Sequence, residues 1–332
     1  MEVVGIAELA GSATHPCFVD LTSPASDREL RHAEAHALAA HAPLVGVHAG
    51  ALPPRLGGLA ATLTTTLVDE QTTTATTAVP DLAHATAAIG SLVAQSPSAA
   101  ATLVGLLRLT AKLSVPEGLV CESLAYSMLL GGPEFAAWRA ATPRREPPPE
   151  QGPCVRVERD QDLLTVSLSR PRRHNAFNRD VRDALVEALQ IAELDPTVSV
   201  DLRGDGGSFC SGGDLDEFGT AQDLAAAHLL RITHNAGACV HRVSDRVTAH
   251  LHGACIGAGI EIPAFARRVQ AQDSTRIALP ELRMGLVPGA GGTVSVTHRI
   301  GRWRTAYLVL SGATIDAGTA LTWGLVDTVV PS

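Results

Sequence analysis

The stretch from Arg246 to Gly301 narrows the possible folds more than any other part of the chain. Its apolar opening run, Val247–Leu251, reads as a strand and meets a glycine-rich turn at residues 253–259. Glu261 follows inside an otherwise apolar segment. Twenty residues later Glu281 stands next to Pro280, and Pro288-Gly-Ala-Gly-Gly-Thr293 comes soon after. Acids in Gly, Ala and Ile surroundings are rarely buried without a task, because a carboxylate loses its hydration there. Two of them, each beside a glycine turn, point to an acid/base pair next to a backbone anion site.

On both sides of this stretch, strand-like runs alternate with helical ones. After a strand pair at 154–158 and 163–168, residues 178–194 read as an amphipathic helix, 198–202 as a buried strand and 221–240 as another helix. A strand near 269–272, a helix at 303–310 and a strand at 325–330 complete the series. Such alternation implies parallel pairing through right-handed crossovers. Upstream, 18–21 and 43–47 look like short strands around a helix at 28–40, and threonine-rich 62–77 reads as strand and loop. From Asp81, which suits a helix N-cap, to Ala141 the pattern is helical, with restarts at Pro97, Pro116 and Pro133. Segment 143–153 is proline-rich and charged, the composition of a linker. The expected organisation is therefore an N-terminal region over 1–142, mixed and then helical, the linker 143–153, and a core over 154–332.

Composition excludes several function classes. A formal charge of -8 argues against nucleic acid as the main partner, since phosphate binding needs a basic surface. The six cysteines form no C-x-x-C pair, and the acid-containing N-terminus lacks a basic leader, so a reduced, cytoplasmic protein is expected. No apolar run reaches the ~18 residues of a membrane span, so no membrane partner is expected. His250 and His252 share a strand face but have no third ligand at suitable spacing, so no metal is expected.

The glycine turns carry the chemistry. Gly212-Gly213-Asp214 and Gly257-Ala258-Gly259 each stand where a loop enters a helix, and helix starts present unpaired N–H groups. Two such groups converging on one oxygen hold a developing oxyanion. The Gly289–Gly292 run lacks the G-K-[ST] ending of a Walker loop.

Four motifs in order resemble a known family. They are S-R-P-x-x-x-N-A at 169–176, S-F-C-S-G-G-D-L at 208–215, H-G-A-x-x-G-A-G-x-E at 252–261 and L-P-E-x-x-x-G-L-x-P-G-A-G-G-T at 279–293. Together they resemble the crotonase, or enoyl-CoA hydratase/isomerase, superfamily. The resemblance implies a crotonase-like α/β fold, a ββα superhelix, here with an additional, largely helical N-terminal region. It implies an acyl-CoA thioester as substrate, with coenzyme A entering as part of it and no separate cofactor, and an oxyanion-stabilised enolate as intermediate. By the same resemblance the backbone N–H groups of Gly213 and Ala258 form the oxyanion hole, Glu261 and Glu281 are the catalytic acids, and Gly289 seats water. Arg170, Arg172, Arg173, Asn175 and Ala176 lie where the family meets coenzyme A. A homo-oligomer, trimer or hexamer, is implied as well.

Both glutamates favour hydration, with Glu261 deprotonating water and Glu281 serving the α-carbon. A double-bond isomerase, a thioester hydrolase and a non-catalytic acyl-CoA-binding subunit remain open. Pro263 is expected to kink the segment after Glu261, and Arg267 stands where many members carry an acid. The helical tail that closes the family's pocket is expected to be supplied from the front of the chain: residues 81–142 resemble it and are expected to dock as a cap, in cis or across a subunit interface. Residues 43–50 faintly echo 246–253.

Overall fold

The computed structural model describes residues 1–12, 15–145 and 152–332, so most of the expected linker 143–153 lies outside the described residues. Over residues 1–80 short strands alternate with helices: β1 (Glu2–Gly5), α1 (Ile6–Ser12), β2 (Cys17–Asp20), α2 (Asp27–Ala39), β3 (Leu44–Ala51), α3 (Gly57–Thr62), β4 (Thr65–Glu70) and β5 (Thr76–Ala78). The strands pair in parallel in that order. Strand alternation sorts the side chains. Val19, Leu44 and Val68 join the helices α1–α3 in one cluster, while Phe18, Val45 and Leu67 join the main core.

Four helices follow, α4 (Leu82–Gln95), α5 (Pro97–Thr110), α6 (Val115–Leu130) and α7 (Pro133–Ala141). Asp81 caps α4 by accepting from the His84 N–H at 2.9 Å, and a Ser114–Glu117 capping box starts α6. Ile89, Val93, Leu103 and Leu107 bury into the main core. Among the described residues no single helix is long and apolar enough to cross a membrane; α4 and α5 are apolar together but meet at 108°.

Beyond the linker come β6 (Val155–Asp160), β7 (Leu163–Leu168), α8 (Arg179–Leu194), β8 (Ser199–Gly204), α9 (Leu224–Thr233), α10 (Ala236–Arg242), β9 (Val247–Leu251), β10 (Ala254–Ile256) and α11 (Ala258–Glu261). The chain ends through β11 (Arg268–Gln272), β12 (Arg276–Ala278), α12 (Gly292–Ser311), β13 (Thr314–Asp316), α13 (Ala317–Trp323) and β14 (Thr328–Val330). A six-stranded sheet runs β14-β11-β9-β8-β7-β6, parallel except at β6, and β10-β12-β13 form a smaller one. This is the coiled α/β architecture of the crotonase fold. The expected helix over 221–240 is two, because Asn235 leaves the helical path and caps α10 through the Ala238 N–H at 2.8 Å. The helix expected at 303–310 starts earlier, at Gly292, and bends at Gly301. The strands β10, β12 and β13 escape sequence reading, since three residues are too few to show a period.

Helix α12 is the shared centre of packing. It touches α4, α5 and α6 on one side and β4 and β5 on another. Arg302 of α12 donates to the carbonyls of Leu63 and Ala61. Arg108 of α5 donates to Ala37 O at 2.7 Å, Ala40 O at 2.6 Å and Thr62 O at 3.3 Å, joining the C-terminal ends of α2 and α3.

Candidate active site

The two glycine turns meet because the loop that carries the first of them is hydrogen-bonded on both flanks. Phe177 N–H donates to Gly212 O and Asp214 N–H to Phe177 O, while Cys210 N–H donates to Ala254 O and Ile256 N–H to Cys210 O. This clamps residues 208–214 between 174–177 and 252–256. Gly213 and Ala258 both line a cavity of about 480 Å³. Neither N–H has a backbone acceptor among the described residues, so both remain available to a ligand oxygen.

Glu261 and Glu281 line the same cavity, and both are buried. The closeness of the two carboxyls is set by Gly257, whose φ of 50° and ψ of -121° suit glycine. A Cβ there would lie 2.6 Å from Glu281 Oε1 and 3.6 Å from Glu261 Oε1. The environments of the two acids differ. Glu261 Oε2 accepts from the N–H groups of Ala290 at 2.7 Å and Gly292 at 2.9 Å. Burial raises its pKa above the ordinary carboxylate range, and those N–H groups, with that of Gly289, pull it back. Glu281 Oε2 is buried with no partner among the described residues. Burial first, and then the neighbouring Glu261 charge, push its pKa well above the ordinary range. The two carboxyls thus stand in unlike environments, one supported by backbone N–H groups and the other not.

The structure adds two residues that sequence reasoning overlooked, both from α6. Glu122 is buried, and Oε1 accepts from Gly291 N–H at 2.7 Å. Its Oε2 accepts from Thr293 N–H at 2.8 Å and Thr293 Oγ1 at 2.7 Å. Four successive N–H groups at the start of α12, residues 290–293, thus alternate between Glu261 and Glu122. The helix has no side-chain cap of its own, and the two carboxylates take that part. Burial and the Glu261 charge raise the Glu122 pKa. Tyr126, one turn further on, lines the cavity with Leu130 and with Phe135 of α7. A Cβ on Gly289 would lie 2.5 Å from its ring, so only glycine lets the ring approach the loop. The signal for Glu122 was present: a lone acid in the apolar run 118–130, the pattern that singled out Glu261.

The residues expected at coenzyme A fall into two groups. Arg170 is buried and its guanidinium bonds Asp214 at 3.2 Å and the Ala176 carbonyl. Arg173 pairs with Asp214 at 2.7 Å and Asp216 at 2.8 Å. Asn175 is fully buried and donates to Asp205 O and Ser208 O, which shapes the loop. Arg170 and Asn175, both buried, and the partly buried Arg173 thus already have partners within the fold. Arg172 is exposed and forms no ion pair among the described residues, and Ala176 is buried. Pro263 opens a one-turn 3-10 helix after α11 and leaves the Glu261 contacts in place. Arg267 points outward to Asp245 at 3.6 Å. His250 bonds Asp201 at 3.0 Å, and His252 meets Gly206 O.

Comparison with known proteins bears on residues 158–332, which match the family model described as enoyl-CoA hydratase/isomerase. The 2,3-dehydroadipyl-CoA hydratase of Escherichia coli is 35% identical over 177 residues, covering 53% of this chain and 69% of that protein. A probable enoyl-CoA hydratase of Mycobacterium bovis is 30% identical over 181 residues, covering 54% and 69%. The crystal structure of an enoyl-CoA hydratase from Thermoplasma volcanium superposes with a TM-score of 0.51 at 32% identity, covering 55% of this chain and 73% of that one.

Proposed function

Because this chain belongs to the enoyl-CoA hydratase/isomerase family and is an enzyme of that family, we propose that it adds water across the 2,3 double bond of an enoyl-CoA thioester. The observation that carries this reading is the pairing of two buried carboxyls of unlike environment over Gly257, beside the N–H groups of Gly213 and Ala258. The thioester oxygen sits between those two N–H groups and gains charge as the enolate forms. Glu261, whose anion is supported by Ala290 and Gly292, takes a proton from water as its oxygen bonds the β-carbon. Glu281, kept protonated by its unpartnered burial, delivers a proton to the α-carbon. Glu261 ends with one proton more and Glu281 with one fewer, and a transfer across Gly257 restores the starting state. The Gly289 N–H, close enough to Glu261 to affect its pKa, helps to seat the water.

On this reading residues 81–141 serve as the helical cap of the pocket within one chain, through Tyr126, Leu130 and Phe135. Arg172 is the cation left for the phosphates of coenzyme A. The test follows the loss of enoyl-thioester absorbance on crotonyl-CoA. Glu261→Gln and Glu281→Gln should each lower kcat by at least roughly a hundredfold, as expected of a general acid or base. Turnover indifferent to both substitutions would refute the assignment. A shift of a 3-enoyl thioester without water addition would make the enzyme an isomerase.

A further inference from the structure

Arg231 of α9 lines the cavity, and the addition of water to a plain enoyl chain gives it no task. Its guanidinium carbon lies 5.0 Å from the Tyr126 ring centroid. Its Nε donates to Ser123 Oγ at 3.1 Å, and a terminal nitrogen donates to Ser127 Oγ. The other arginines on the wall are neutralised, Arg182 by Asp183 at 2.7 Å and Arg179 by Glu217 at 3.8 Å. Arg231 has hydroxyl partners only and no carboxylate at ion-pair distance among the described residues. Glu122 acts on it through space, but both Glu122 oxygens are taken by Gly291 and Thr293. A guanidinium turned into a cavity walled by Leu130, Phe135 and Leu224 is costly unless an anion meets it.

Its position selects which part of a substrate it meets. The Tyr126 ring presses on Gly289, beside Glu261, and carries Arg231 on its face. Arg231 therefore lies about one aromatic ring beyond the reacting centre. Arg172, the cation assigned to coenzyme A, is outside the cavity wall, whereas Arg231 is part of it. We propose that the cavity takes acyl chains ending in a carboxylate, the CoA monothioesters of short unsaturated dicarboxylic acids, and that Arg231 selects them. This rests on the enoyl-thioester reading above. The planar guanidinium offers a paired donor edge to a carboxylate. Ser123, Ser127 and the Tyr126 ring fix its orientation in advance, so little further ordering is required on binding.

Calorimetric titration of the full chain with saturated thioesters tests this without turnover. Succinyl-, glutaryl- and adipyl-CoA are each compared with the monocarboxylic thioester of equal chain length. At one length the diacid should bind roughly thirtyfold more tightly, as a charge-assisted pair supplies. Arg231→Gln should bring that ratio close to one, and Arg231→Lys should restore part of it. A ratio near one at every length in the wild type overturns the proposal, as does a preference that survives Arg231→Gln. Equal weakening of diacid and monoacid by Arg231→Gln also overturns it, since that marks a residue that only ties α9 to α6. Failure to hydrate both crotonyl-CoA and the unsaturated diacid monothioester of the preferred length counts against the proposed reaction alone and leaves the binding ratio to decide here.

Discussion

Replacing Glu122 by alanine tests whether the N-terminal helices and the loop at residues 289–293 work as one structure. The substitution removes the acceptor of three buried donors, Gly291 N–H, Thr293 N–H and Thr293 Oγ1. An orphaned buried donor costs about 1–3 kcal/mol, and water entering the vacated space recovers part of it. A net loss of about 3–5 kcal/mol is expected, since the start of α12 also loses one of its two capping carboxylates. In a chain of this size that lowers Tm by about 4–7 °C. The same loop supplies Ala290 and Gly292 to Glu261, so kcat should fall along with stability. Glu122→Gln keeps one acceptor oxygen and should lose about half as much. It also removes a charge that raises the Glu281 pKa, so the alkaline limb of the kcat profile, where Glu281 loses its proton, moves to lower pH. Thermal melts by circular dichroism and crotonyl-CoA progress curves across pH measure both effects. If Glu122→Ala melts within a degree of wild type with unchanged kcat, the coupling argued here does not exist.

Two further outcomes follow from the same geometry. Gly257→Ala places a methyl 2.6 Å from Glu281 Oε1 at a φ of 50°. It should cost about 1–3 kcal/mol of backbone strain and roughly a hundredfold in kcat through the displaced carboxyl; an active, equally stable variant contradicts the carboxyl placement. Glu281 holds its proton more tightly folded than unfolded, so unfolding releases a proton between the ordinary value of 4.5 and the raised folded value. Its contribution to stability is full below that window and declines by ~1.4 kcal/mol per pH unit through it. Glu281→Gln lacks this loss, so its Tm should gain on wild type as pH rises from about 5 to about 8. A gap that stays constant with pH rules the account out.

What the chain announces in its sequence is whatever depends on neighbouring residues. The strand Val247–Leu251, the glycine turn after it and Glu261 are contiguous, and a positive φ such as that of Gly257 demands glycine wherever the chain goes next. Asp81 and the Ser114–Glu117 box mark helix starts for the same local reason. Charged pairs whose members are far apart in the chain are not legible in its sequence. Arg170 and Arg173 look like a basic cluster for phosphate until the fold brings Asp214 against them, 44 and 41 residues on. Glu122 lies 169 residues from the Gly291 N–H that it accepts, and Arg108 gathers carbonyls from two other helices. Such pairs leave no period in the sequence, because burial and closure of long loops bring them together. The acid pair over the Gly257 turn was thus determined by the sequence itself. Tertiary structure alone decided that a tyrosine and an arginine from remote helices line the cavity and that a remote glutamate holds the loop behind it, since only packing removes the water that would otherwise hold them apart.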